Sequence, residues 1–137
     1  MRGRVLIDMQ GEGMVNTGHQ SFFTYRTREF VAPYLESIMA RGAGGTVLDV
    51  GCGGSAMGFE VLQEGFTDLV LTDVSTEIID IMRERFAGDA RVRVEVADCR
   101  QMTFLPDGAA DVVVDKGTLD ALSGDDHKRD MLRECSR

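Results

Sequence analysis

Four aspartates stand within or directly behind short apolar runs. Asp49 lies in Val47-Leu48-Asp49-Val50, Asp73 follows Leu69-Val70-Leu71-Thr72, Asp98 follows Val92, Val94 and Val96, and Asp115 follows Val112-Val113-Val114. The first run leads straight into Gly51-Cys52-Gly53-Gly54-Ser55. Glycines here permit a tight turn and let backbone N–H groups come close to a ligand. Alone, the pattern is a weak signal, and Gly51-Cys52-Gly53-Gly54-Ser55-Ala56 also satisfies the G-x-G-x-x-A form of dinucleotide-binding turns.

The acids narrow the chemistry. Asp49 precedes the first glycine by two residues, where a carboxylate opposes a pyrophosphate but suits a cationic or amino-bearing ligand. Asp73 comes 22 residues after Gly51, at the spacing where an acid accepts both hydroxyls of a ribose. Asp98 is placed to accept from an adenine amino group while the N–H of Cys99 faces a ring nitrogen. Each acid taken singly reads equally as a helix cap or a solvated turn; at three successive strand ends they form a set. A positively charged adenosine compound fits that set, and S-adenosylmethionine, a sulfonium with an α-amino group, is one.

The elements that must hold these residues alternate in type. Thr46–Val50 reads as a strand, and Ser55–Glu64 as a helix with Met57, Val61 and Leu62 on one face, ending at Gly65. Leu69–Thr72 is a second strand, and Ser75 caps a helix running to about Ala87, with Ile78, Ile79, Met82 and Phe86 inward. Arg91–Val96 alternates polar and apolar residues, as a strand near a sheet edge does. After a Pro106-Asp107-Gly108 turn, Asp111–Asp115 is an apolar fourth strand, and Asp125–Arg137 opens another helix. Upstream, Arg28–Ala40 carries apolar residues at helical spacing, while glycine-punctuated residues 1–20 read as an irregular arm. Strands separated by helices imply a doubly wound parallel α/β sheet, whose ligands sit at the carboxyl ends of the strands. The division is an arm and helix over 1–44 and a partial ligand-binding domain over 45–137.

Composition sets further bounds. The chain has 137 residues and a formal net charge of -8. Residues 1–44 hold five arginines against four acids, and residues 45–137 ten basic against nineteen acidic side chains. So acidic a body repels phosphate backbones, which disfavours nucleic acid and tolerates a cationic, lysine-bearing partner. No apolar run approaches the ~20 residues of a membrane span, and the start lacks the apolar segment of a secretion signal. Cys52, Cys99 and Cys135 show neither C-x-x-C nor a Cys/His grouping, so no metal site is expected, and free thiols suit a reducing, cytoplasmic setting. Oligomeric state leaves no mark on the sequence.

These features resemble the class I S-adenosylmethionine-dependent methyltransferases. Asp49-Val50-Gly51-Cys52-Gly53 is similar to their glycine-loop motif, Leu71-Thr72-Asp73-Val74-Ser75 to the segment with the ribose acid, and Asp98-Cys99 to their adenine-side position. Ser55 stands where many members have a third glycine. Asp115-Lys116-Gly117-Thr118-Leu119-Asp120-Ala121 resembles a narrower branch, the protein lysine methyltransferases related to those acting on elongation factor and citrate synthase. The Asn/Asp-Pro-Pro-aromatic segment of many nucleic-acid amino methyltransferases is absent. Residues 45–137 carry the resemblance well, 22–44 loosely.

The resemblance implies a Rossmann-like fold of seven strands, of which four are expected here, so the chain reads as truncated within its last helix and, alone, a weak cofactor binder or none. It also implies S-adenosylmethionine as cofactor, bound by Asp49, Gly51, Cys52, Gly53, Asp73, Val74, Asp98 and Cys99. Methyl transfer is an in-line displacement, and orientation can supply roughly 7–11 kcal/mol of its catalysis. A lysine nucleophile must be neutral, which from a free pKa near 10.4 costs about 4.6 kcal/mol at pH 7. A carboxylate beside the amine can take its proton or orient its lone pair. Asp115 is the first candidate and Asp120 the second. For Asp115 a role at the acceptor amine stands about even with one as a ligand for the cofactor's amino group or a cap of the turn, and Lys116 reads as a structural partner of a carboxylate. His19 and His127 have no spacing partner and read as surface residues. A small-molecule methyltransferase, a nicotinamide-dependent oxidoreductase half-domain and an inactive methyltransferase-like partner subunit are the alternatives.

Overall fold

The computed structural model describes residues 5–8, 45–54 and 57–137. Five strands, β1 (Val5–Asp8), β2 (Thr46–Val50), β3 (Asp68–Asp73), β4 (Val92–Val96) and β5 (Val112–Asp115), form one parallel sheet in the order β1-β5-β2-β3-β4. The described helices are α1 (Met57–Gln63), α2 (Thr76–Arg85), α3 (Thr118–Ala121) and α4 (Asp125–Ser136). The chain steps outward from β2 to β3 and β4, then returns to β5 on the other side of β2. That reversal opens a crevice at the carboxyl ends of β2 and β5, where ligands of such sheets bind.

Side chains alternate across the strands and feed two cores. Val47, Leu69, Leu71, Val112 and Val114 pack with Leu62 of α1, Phe66, and Met82 of α2 on one face. Leu48, Val50, Val70 and Val113 pack with Met102 and with Met131 and Cys135 of α4 on the other. Met82 and Met131 are fully buried, so truncating either to Ala costs about 2–5 kcal/mol. β5 is apolar up to Asp115 because it lies inside the sheet with a core on each face, whereas β4 is an edge strand and keeps Arg93 exposed. At the amino ends of β2 and β5, Thr46 N–H donates to Asp111 Oδ2 at 3.0 Å and Asp111 N–H to the Thr46 carbonyl at 2.9 Å.

Local signals set the helix boundaries. The Ser75 hydroxyl accepts from Ile78 N–H at 3.3 Å, capping α2, and Arg83 and Arg85 in its last turn suit the negative end of the helix dipole. Residues 1–20 are not wholly irregular: Val5–Asp8 form β1, in register Val5 with Val112 through Asp8 with Asp115. The open edge of β5 supplies the backbone partners that this short run cannot find locally, and the sheet gains a fifth strand beyond the four expected. The helix expected over Arg28–Ala40 lies outside the described residues.

Candidate cofactor site

The site is built on the turn after β2. Gly51 has φ +64°, the left-handed region that favours glycine. The Cys52 N–H donates to the Thr72 carbonyl at 2.8 Å and the Thr72 hydroxyl to the Asp49 carbonyl at 3.2 Å, fixing the loop to the end of β3. Gly53 N–H donates to Asp73 Oδ2 at 3.0 Å, and Ser75 N–H to Asp73 Oδ1 at 2.9 Å. Arg85 at the end of α2 reaches back to donate to the Gly54 carbonyl at 3.1 Å. The glycine loop, the Asp73 turn and α2 thus form one hydrogen-bonded unit.

A cleft of about 500 Å³ opens above the carboxyl ends of the strands, within the ~300–1,000 Å³ of ligand sites. Gly51, Asp73 and Val74 form one side; Ala97, Asp98, Cys99 and Arg100 follow β4. The segment after β5 closes it with Lys116, Gly117 and Thr118, then Ala121 and Leu122, and Ser123 and His127 stand beyond them. Five of the eight sequence-selected cofactor residues line this cleft: Gly51, Asp73, Val74, Asp98 and Cys99. Val74 is 73% exposed, an apolar side chain that a flat apolar ligand would cover.

The other three are not among its lining residues. Cys52 is buried in the core, and burial, with Asp49 and Asp73 nearby, pushes its thiol up to about 12, so it is a packing residue rather than a nucleophile. Gly53 contributes its N–H to Asp73. Asp49 is 2% exposed, and among the described residues its Oδ1 has no hydrogen-bond partner. Burial raises its pKa to about 7; Lys116 opposes the shift, and Asp115 and Asp73 add to it. Lys116 is itself pulled down by burial, with Asp49 and Glu60 acting against that. Glu60 on α1, also buried, has an Oε2 without a hydrogen-bond partner among the described residues.

Asp98 accepts from the Arg100 backbone N–H at 2.9 Å and from its guanidinium, Nη2 to Oδ2 at 2.6 Å. These bonds hold its carboxyl down to about 2. An adenine amino group would share this carboxylate with Arg100. Asp115 is 1% exposed, and its oxygens accept Thr118 N–H at 2.8 Å and Leu119 N–H at 3.1 Å. It therefore starts α3. Asp120 lies exposed on α3. Neither Asp115 nor Asp120 lines the cleft, whereas Lys116 and Thr118 do. His127 is exposed and stands at the cleft's outer end. Arg100 and Thr118 join the site beyond the residues selected from the sequence: Arg100 is a two-residue neighbour of Asp98, a local signal, whereas the contact of Thr118 with the glycine loop comes from strand order. Among the described residues no His/Cys/Asp/Glu group has metal-ligand spacing.

The residues fit S-adenosylmethionine. Each Asp73 oxygen accepts one backbone N–H and keeps a lone pair for a ribose hydroxyl, Val74 offers apolar cover, and the unpaired oxygen of Asp49 suits an amino group. A parallel sheet with this cleft at its switch point is the doubly wound, Rossmann-like arrangement.

The chain belongs to the methyltransferase domain family, whose model matches residues 47–137. It is 43% identical over 76 residues to the EEF1A lysine methyltransferase 4 of Bos taurus, covering 56% of this chain and 29% of that protein. It is 40% identical over 86 residues to the eEF1A lysine and N-terminal methyltransferase of Bos taurus, covering 62% and 12%. The glycopeptide N-methyltransferase MtfA, solved with sinefungin, superposes with a TM-score of 0.62 at 23% identity over 96% of this chain and 49% of that one. The chain spans less than a third of the length of the curated relatives it matches.

Proposed function

We propose that the chain forms the cofactor-binding part of an S-adenosylmethionine-dependent methyltransferase whose acceptor is a protein lysine. The observation that carries this reading is the meeting, in one cleft, of the ribose-side pair Asp73 and Val74 with Lys116, Gly117 and Thr118 of the segment that Asp115 opens. Bound there, the cofactor would supply a methyl group on a sulfonium sulfur. The chain's residues would do the rest: Asp73 holds the ribose, Asp98 and Cys99 the adenine edge, and Asp49 the amino group. Asp115 shapes the turn that carries the acceptor wall, and of the two acids Asp120, exposed on α3 outside the residues lining the cleft, is the one proposed to take a proton from the incoming amine.

The lysine acceptor follows from that segment and from the names of the relatives, which act on eEF1A. A lysine-bearing protein also suits the acidic balance of residues 45–137. A cytoplasmic site of action belongs to the same proposal; among the described residues no helix is long and apolar enough to cross a membrane.

Calorimetry with S-adenosylhomocysteine against NADH tests the cofactor, with binding of the first alone expected. Stronger NADH binding would make the chain an oxidoreductase half-domain. Transfer of a labelled methyl group to eEF1A, lost when its lysines are blocked, tests the acceptor; transfer only to small amines would reassign it.

A further inference from the structure

We propose that Thr118 is a positioning residue that locks the acceptor-side wall onto the glycine loop, so that ligand binding at the loop also orders Leu119–Leu122. The inference rests on the cofactor reading above and adds a linkage between the two sides of the cleft. Thr118 Oγ1 donates to the Val50 carbonyl at 2.9 Å and lies 3.4 Å from the Gly51 carbonyl. Its side chain sits directly against Gly51: a Cβ added there would fall 1.9 Å from Thr118 Oγ1 and 2.9 Å from both its Cβ and Cγ2. The missing side chain of Gly51 is therefore the space that Thr118 fills.

The same residue is held from the other end. Its N–H is taken by Asp115 Oδ1 at 2.8 Å, and Asp115 pairs in register with Val50, whose carbonyl Thr118 caps. Val50, Asp115 and Thr118 close a short circuit spanning the switch point of the sheet. Beyond it the wall hangs on the same turn, with Ala121 N–H on the Gly117 carbonyl and Leu122 N–H on the Thr118 carbonyl, each at 3.2 Å. Ala121 and Leu122 line the cleft that Gly51 also lines. A ligand that fixes Gly51 accordingly fixes Thr118, and through it the wall. The coupling is reciprocal, so an acceptor that orders the wall tightens the loop on its cofactor.

Two substitutions separate this role from a plain packing role. Thr118→Val keeps the shape and removes the hydroxyl donor; Thr118→Ser keeps the donor and removes the methyl group. The measurement is amide hydrogen exchange of the 137-residue chain, with and without saturating S-adenosylhomocysteine. In the unsubstituted chain the ligand slows exchange both in the glycine loop and at Leu119–Leu122, the latter by about tenfold, within the usual range of site-to-site coupling. In Thr118→Val the loop stays protected while the effect on the wall falls below about twofold, and Thr118→Ser restores it. Full protection of the wall in Thr118→Val, or protection confined to the loop in the unsubstituted chain, overturns the linkage and leaves the cofactor reading standing. Loss at both segments in Thr118→Val also overturns it, by assigning Thr118 to the loop alone. No protection anywhere in the unsubstituted chain overturns the cofactor reading and the linkage together.

Discussion

Asp73 reaches back across 20 residues to accept the N–H of Gly53 at 3.0 Å, so the acid that ends β3 also sets the shape of the loop after β2. Its other oxygen takes Ser75 N–H at 2.9 Å, which aligns the start of α2. Replacing Asp73 by Ala removes both acceptors at once. A half-buried N–H left without a partner costs about 1–3 kcal/mol. Asp73→Ala should therefore lower the urea midpoint and weaken S-adenosylhomocysteine binding at least about tenfold, since the ribose acceptor and the loop shape are lost together. Asp73→Glu keeps the charge but displaces the carboxylate, and should recover little of either. Calorimetry and urea titration on the same samples check this.

Asp49 makes the fold pH-dependent. Its carboxyl titrates near 3.8 when unperturbed and near 7 in the fold. Between those values the folded chain keeps a proton that the unfolded chain has lost. Its contribution to stability therefore declines as pH rises from about 4 to about 7, then levels off. Asp49→Asn removes that decline: the variant should match the parent near pH 4 and melt higher at pH 8. Ligand binding should run the opposite way, because an ammonium group beside the unpaired Oδ1 favours the ionised carboxylate. S-adenosylhomocysteine should bind more tightly as pH rises through 7 and release a proton to buffer near pH 6.5, both effects vanishing in Asp49→Asn. Calorimetry in buffers of different ionisation enthalpy reads the proton directly.

Asp115 and Asp120 differ in burial. Asp115 is buried with both oxygens on backbone N–H groups, so Asp115→Ala should destabilise by about 1–3 kcal/mol. Asp120 is exposed, and Asp120→Asn should shift stability by less than about 0.5 kcal/mol. If Asp120 takes the acceptor's proton, the order reverses in catalysis: Asp120→Asn should lower kcat by about 10²–10⁴-fold with little change in cofactor affinity. Urea denaturation paired with single-turnover methyl transfer distinguishes the two.

The parallel sheet and most of the cleft were legible because their signals are local. Apolar runs closing on Gly51, Asp73 and Asp115 mark strand ends, and Ser75 marks a helix start within four residues of its hydrogen-bond partner. Thr118 was not legible as a partner of Gly51, since 67 residues separate them and only the placement of β5 beside β2 joins them. β1 was missed for a similar reason. Val5–Asp8 is too short to show alternation, and its partner is the backbone edge of β5, more than a hundred residues away. The burial of Asp49, 2% exposed, leaves no local mark either, because it depends on what packs against β2 in the fold.

Two of the loop glycines give a contrast that depends on one contact. Gly51 and Gly53 both have positive φ, +64° and +54°, so a side chain at either is strained, at about 1 kcal/mol. A Cβ at Gly53 meets nothing within 4 Å, whereas one at Gly51 falls 1.9 Å from Thr118 Oγ1. Gly53→Ala should therefore cost about 1 kcal/mol and leave the wall in place. Gly51→Ala must push Thr118 off the Val50 carbonyl, breaking a hydrogen bond as well as overpacking a tight contact, for a total of about 3 kcal/mol or more. If the clash is the cause, Thr118→Gly placed on top of Gly51→Ala should return part of the lost stability, although Thr118→Gly alone destabilises. A double-mutant cycle by urea denaturation measures that coupling, and strictly additive effects would show that Gly51 is needed for its backbone angle alone.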